Sequence, residues 1–292
     1  MRTLPKKPAR KRRPERLAIR VSPGVGFCSG VKRAIKMALA AAAHADGRIY
    51  SYGPLIHNPQ VVDRLREVGV RPLARLAKGG GLLVIRSHGI SPEALSAARR
   101  RGYQIVDATC PFVRAAQERA KRLYRLGYDV VIVGEKHHPE VKAIRGSVPA
   151  RSTVVENAAQ AKKLKFGRRV GIIAQTTIPV DTFASVVSQI ARHAREILVF
   201  NTICSETSRR QARARKLAAE VDVLLVVGGR NSANTARLED LCRSICPATH
   251  QIETAAEIGD GWFKRGSAVG IVTGASTPKW LVDSIVNQLK KR

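Results

Sequence analysis

Three segments of this 292-residue chain repeat one layout: a β-rich run, a cysteine, then an Ala/Arg/Leu-rich stretch with helical periodicity. They read VGFCSGVKRAIKMALAAAA, VDATCPFVRAAQERAKRLYRLG and FNTICSETSRRQARARKLAAE, and carry Cys28, Cys110 and Cys204. At nearly the same interval after each cysteine comes a second β-rich run with a polar end: His57-Asn58, His138-Pro139-Glu140 and Asn231-Ser232-Ala233-Asn234. A third group follows further on: Ser87-His88-Gly89, Gln175-Thr176-Thr177 and Ala275-Ser276-Thr277. Three copies of one arrangement predict an α/β fold of three pseudo-threefold-related units, a trefoil, with the thiols converging on its axis.

The runs RIYSY, GLLVIRS, YQIVDAT, DVVIVG, VGIIAQT, EILVFNT, DVLLVVGG and SAVGIVTG alternate with helical stretches. That alternation is the signature of βαβ units and mainly parallel sheets. Ligands of such sheets gather beyond the carboxyl ends of the strands, where the three polar groups fall. The expected division is a basic arm over 1–17, a strand and first cysteine loop over 18–29 that packs with the third unit, and units over 30–110, 111–203 and 204–292.

A composition of 44% hydrophobic residues supports a sizeable core. No apolar run approaches the roughly 20 residues that span a bilayer, and MRTLPKKPARKRRPERL lacks the apolar segment of a secretory signal. The expectation is a soluble, cytoplasmic protein without a membrane partner. Five cysteines argue against a disulfide scaffold and for a reducing compartment. Of the formal net charge of +30, the first 20 residues hold nine basic side chains against one acidic, so most of the excess lies in the body. Such a field attracts polyanions or acidic carrier proteins, and nucleic acid is one class it admits. With 4% aromatic residues and no nucleic-acid-binding motif, a solvated basic surface is an equally good reading.

A helix N-terminus favours thiolate, the form that binds metal, and Gly26 and Gly30 let backbone approach Cys28. One such cysteine alone would read as buried and inert. Three in register read as ligands, either of a zinc ion with one open position or of a [4Fe-4S] cluster whose fourth iron is free for substrate. Cys242 and Cys246, in LCRSICP, adjoin no third soft ligand and read as packing residues.

GFCSGVKRAI, GPLIHNPQVV, RSHGISPE, DATCPFV, HHPEV, AQTTIPVD, NTICSETSRRQ, VGGRNSANTARL and TGASTP, in order from about residue 18 to the end, resemble the 4-hydroxy-3-methylbut-2-enyl diphosphate reductase family. That family closes the methylerythritol phosphate route to isoprenoids. The resemblance implies a trefoil around a [4Fe-4S] cluster, an allylic diphosphate substrate, and loss of its hydroxyl to give isopentenyl and dimethylallyl diphosphate. It implies that Cys28, Cys110 and Cys204 bind the metal. Glu140 becomes the acid, aided by Thr176, Thr177 and His138, and His57, His88, His138, Ser232, Asn234 and Ser276 the substrate-binding set. Without that resemblance, Glu140 would read as a solvated helix-start carboxylate and each His as structural.

Several positions depart from the family pattern. Ser29 and Lys32 stand where Ala and Asp are usual, Ala233 where a serine is, Ser205-Glu206-Thr207 for Tyr-Ala-Thr, and Arg86 precedes Ser87. Glu206 would add negative charge beside the thiols. These departures admit a divergent paralogue with altered substrate. Beyond the reductase stand two further readings, a zinc hydrolase and a basic nucleic-acid-binding protein on the same scaffold. No dinucleotide fingerprint is present, so electrons must come from outside, and the resemblance implies a ferredoxin or flavodoxin donor.

Overall fold

The structure is a computed structural model that describes residues 16–45, 47–77, 79–148, 150–165 and 167–292. The expected basic arm lies outside the described residues over 1–15.

Along the first third run β1 (Ala18–Val21), α1 (Ser29–His44), β2 (Ile49–Tyr52), α2 (Pro59–Glu67), β3 (Val70–Leu73), β4 (Gly81–Ile85), α3 (Pro92–Arg100) and β5 (Tyr103–Asp107). The second third holds α4 (Pro111–Arg125), β6 (Asp129–Val133), α5 (Pro139–Gly146), β7 (Ser152–Val155), α6 (Ala158–Lys162), β8 (Arg169–Ala174), α7 (Val180–Ala191) and β9 (Glu196–Phe200). The last holds α8 (Ser205–Ala218), β10 (Val223–Val227), α9 (Ala233–Arg243), β11 (Thr249–Ile252), β12 (Ala268–Thr273) and α10 (Lys279–Lys290).

The strands form three four-stranded sheets ordered β3-β2-β4-β5, β7-β6-β8-β9 and β11-β10-β12-β1. Every pairing is parallel. The first strand therefore fills in the third sheet the place that β5 and β9 fill in the other two, with Ala18 opposite Ala268 and Val21 opposite Ile271. This closes a trefoil: each sheet's last-position strand leads, through a cysteine, into the first helix of the next unit.

Central strands are apolar on both faces because helices cover both sides. All of β10 and nearly all of β6 and β8 are buried. Helices present one small or aliphatic stripe inward, as α1 does with Gly30, Val31, Ala34 and Ala38, and α4 with Val113, Ala116, Ala120 and Leu123. On β8, Gly171 is needed for close approach, since a Cβ there would stand 2.7 Å from Leu123 Cδ2. The runs named from the sequence correspond to β2, β4, β5, β6, β8, β9, β10 and β12. The strands β3, β7 and β11 were not among them. All three are four-residue edge strands with polar or proline content, and proline, as in β3, is confined to edges.

Because packing decides cost, Ile132→Ala, at a fully buried position of central β6, should destabilise the metal-free protein by about 2–4 kcal/mol. Ile197→Ala, 38% exposed on β9, should cost less than about 1 kcal/mol. Urea denaturation midpoints of the two variants check the contrast.

Candidate functional site

Cys28, Cys110 and Cys204 are the residues immediately before α1, α4 and α8 and cap those helices. Each cysteine amide donates to the backbone of a neighbouring strand end: Cys28 to Ala275 O at 3.0 Å, Cys110 to Ser87 O at 3.0 Å and Cys204 to Thr176 O at 2.8 Å. Each cysteine carbonyl accepts the first helical bond, from Lys32, Arg114 and Ser208. The thiols are thus fixed by backbone on both sides. All three line one cavity of about 820 Å³, counting its open mouth. So does every other residue singled out for the site: His57, His88, His138, Glu140, Thr176, Thr177, Ser232, Asn234 and Ser276.

Gly30 marks how closely the thiols approach. A Cβ at that residue would lie 2.5 Å from Cys110 Sγ and 4.0 Å from Cys28 Sγ. The separation of those two sulfurs is bounded by the sum of these distances. Cys204 is close enough to bear electrostatically on both. Yet among the described residues the one group of ligating atoms all within 4.8 Å of one another is His57, His88 and His138, not the thiols. Three thiolates on one zinc would stand about 3.8 Å apart, from Zn–S bonds near 2.3 Å. The sulfurs therefore fit a polynuclear sulfide core better than a single ion. Helix N-termini were expected to favour thiolate here, but burial outweighs them: it raises the Cys28 and Cys110 thiols, although Val31 N–H and Arg210 pull Cys28 the other way. Metal would have to displace those protons.

The same cavity collects three imidazoles. The His57 and His88 ring centroids are 4.6 Å apart, and His138 lies 5.4 Å from His88 and 6.0 Å from His57. Burial, reinforced by the Arg86 guanidinium, holds all three below the usual histidine value, His138 down to about 3, so the rings are neutral at pH 7. Although their spacing would admit a metal ion, the hydrogen bonding argues for an anion. His138 Nδ1 accepts the Glu140 amide at 3.2 Å as the cap of α5, which leaves its proton on Nε2 as a donor. His57 Nε2 and His88 Nδ1 are buried without a partner. Ser232, capping α9, and Asn234 in its first turn bring a helix N-terminus to the same cavity, where an anion is favoured. Ser276 Oγ donates to His57 O at 3.1 Å and ties the third unit to the first.

Glu140, 1% exposed, lines the same cavity and links the two groups: its amide donates to His138 Nδ1, and the carbonyl of its partner Thr176 accepts the Cys204 amide. Its carboxylate accepts Thr176 N at 2.6 Å and Thr176 Oγ1 at 2.8 Å. Burial wins over those bonds and the distant Arg237 charge, and pushes its pKa up to about 7. At neutral pH the group is poised between acid and base. Thr177 accepts Arg237 Nη1 at 3.2 Å, and Arg237 also pairs with Glu135.

The model of the family described as LytB protein matches residues 19–290. The chain belongs to the LytB family. It is 47% identical over 267 residues to 4-hydroxy-3-methylbut-2-enyl diphosphate reductase of Geobacter metallireducens, covering 91% of this chain and 94% of that protein. A solved (E)-4-hydroxy-3-methyl-but-2-enyl diphosphate reductase, described as the terminal enzyme of the non-mevalonate pathway, is 44% identical with a TM-score of 0.70 over 94% of this chain and all of that one. The E-1-hydroxy-2-methyl-but-2-enyl-4-diphosphate reductase of Plasmodium falciparum superposes with a TM-score of 0.88 at 26% identity, over 93% of this chain and 87% of the other. The trefoil of parallel sheets is thus the family fold.

Sequence reasoning missed Arg210 in this LytB member. It is 8% exposed and donates to Gly26 O at 2.9 Å, Thr273 Oγ1 at 3.2 Å and Glu206 Oε1 at 3.1 Å. The Glu206 carboxylate, expected to burden the thiols, is therefore balanced by a cation. The i, i+4 spacing of Glu206 and Arg210 was a readable signal. Arg86, noted only as unusual, folds over Gly53 behind His57, where a Cβ on Gly53 would meet its Nη1 at 2.7 Å. Cys242 and Cys246 are buried in the apolar cluster around α8 and α9, and Cys242 is pushed up to about 12 by burial. His250 stacks on Trp262 and His44 bonds Ala40 O, both away from the cavity. No helix among the described residues is long and apolar enough to cross a membrane.

Glu140 gives a pH signature. Its folded pKa lies above the ordinary 4.5, so the folded state binds the proton more tightly than the unfolded one. Relative to Glu140→Gln, the metal-free wild type should lose on the order of 3 kcal/mol of stability as pH rises from about 4.5 through about 7. Denaturation of both proteins across that window checks the sign.

Proposed function

We propose that this chain removes the allylic hydroxyl of 4-hydroxy-3-methylbut-2-enyl diphosphate to give isopentenyl and dimethylallyl diphosphate, using a [4Fe-4S] cluster. The observation that carries the reading is one cavity lined by thiols from three units, by neutral imidazoles and a helix N-terminus, and by a buried Glu140–Thr176 pair bonded to both groups through His138 and Cys204. Family membership supports it. Cys28, Cys110 and Cys204 would hold the cluster, which when bound supplies electrons and a Lewis-acidic iron free of protein thiolate.

The chain's own residues bind, orient and protonate. His57, His88, Ser232 and Asn234 offer N–H and O–H donors to the diphosphate, Ser276 adds its own by releasing the His57 carbonyl, and His138 turns its Nε2–H the same way. Because the imidazoles are neutral, each gives the anion one N–H as a hydrogen-bond donor rather than a positive charge. Anchoring the diphosphate at these donors points the allylic end toward the thiols. Glu140 holds a proton at its carboxyl, and Thr176 Oγ1, 2.8 Å away, passes it toward the leaving oxygen. Thr177, held by Arg237, keeps the turn in place. In the balanced step one C–O bond breaks, two electrons and two protons are consumed, a C–H bond forms and one water leaves. Electrons arrive from outside, from a ferredoxin or flavodoxin, in the cytoplasm where thiols stay reduced.

Anaerobic purification with iron, zinc and acid-labile sulfide analysis tests this. Iron and sulfide in equal amounts, with turnover of the allylic diphosphate under a chemical reductant, are expected. A colourless protein holding zinc without sulfide would overturn it. Gly30→Ala, whose Cβ would meet Cys110 Sγ, should lower iron incorporation while leaving secondary structure by circular dichroism intact. Glu140→Gln should keep its iron and lower kcat by about 10²–10⁴-fold, with a much smaller change in KM, measured under the same chemical reductant.

A further inference from the structure

The cysteine that opens α1 is preceded by Phe27, and Phe27 lines an apolar groove on the surface. The exposed side chains Leu39, Val68 and Trp280 meet Phe27 in one shallow groove. They come from α1, the end of α2 and the start of α10, so three elements of two units build it. Ile35 extends the groove along α1 to Lys32 and Lys36. Both lysines are exposed and form no ion pair among the described residues, and Arg64 lies 3.8 Å over the Trp280 ring. Acidic groups nearby are few: Glu67 lines the groove, and Asp283 is held by Lys279.

An apolar centre with a basic rim fits a small acidic protein, since charge steers the encounter and apolar contact holds it. The reduction proposed above needs electrons, and no nucleotide fingerprint in the chain supplies them. We propose that this groove is the docking face for an acidic electron-carrier protein, which delivers electrons past Phe27 to the metal held at Cys28. The inference rests on the reductase reading for its purpose, but the contact itself can be measured alone.

The probe is a purified acidic flavodoxin titrated calorimetrically into the anaerobically purified protein at low and high salt. Lys32→Glu/Lys36→Glu should weaken binding by at least about tenfold at low salt and flatten the salt dependence. A glutamate at position 32 sits in the first turn of α1, where negative charge favours the helix, so folding is not at stake. The variant should keep its iron and sulfide content and its turnover with dithionite-reduced methyl viologen, and lose turnover driven by flavodoxin hydroquinone. The control, Arg192→Glu/Arg195→Glu, makes the same charge change at exposed residues beyond α7 and should bind flavodoxin as the wild type does. Equal weakening in both variants, or none in the first, would overturn the docking face. Failure of viologen-driven turnover in the wild type would instead strike the reductase reading, while the titration still decides the face.

Discussion

The site depends on a backbone contact repeated three times: a cysteine amide hydrogen-bonded to the carbonyl just past the end of a neighbouring strand, at 2.8–3.0 Å. Because that same cysteine opens a helix, its Cα is pinned from the sheet side and the helix side together. A thiol so held needs no side-chain partner to be positioned. Parallel sheets place all their carboxyl ends on one edge, and three sheets in threefold array turn those edges toward a single axis. The arrangement closes only because β1, at the start of the described chain, pairs with β12 near its end.

On this frame the three units have diverged in side chains while keeping positions. The second polar group is His57-Asn58, His138 or Ser232, in each case at the start of a helix. The third is Ser87-His88, Thr176-Thr177 or Ala275-Ser276, in each case beside the carbonyl that takes a cysteine amide. Symmetry therefore supplies equivalent places, and divergence fills them with donors on one side and a carboxylic acid on another. Burial does the rest: it keeps the imidazoles neutral and lifts Glu140 to the pH range where it can exchange a proton.

Much of this was legible in the chain. Apolar runs bounded by turns gave the central strands, and the threefold recurrence of strand, cysteine and helix gave the trefoil. Edge strands such as VRPL and THQI escaped because four residues with polar or proline content carry no periodic signal. The cysteines' environment also escaped. A helix N-terminus can be read from sequence, but the depth of burial that opposes it arises only when three units meet. Apart from the Glu206–Arg210 spacing, Arg210 and Arg237 escaped for the same reason: in sequence each is one more base in a chain rich in them, and their bonds to Gly26, Thr273 and Thr177 are long-range.

The central claim is that three thiols from three units grip one inorganic core and leave one of its corners without protein sulfur. Mössbauer spectroscopy of the protein reconstituted with iron-57 addresses it directly. The account requires a majority of irons in like sulfur environments and a minority iron that differs from them and changes when the allylic diphosphate is added. A single mononuclear iron signal, or a cluster whose irons are all alike and indifferent to that diphosphate, would contradict it.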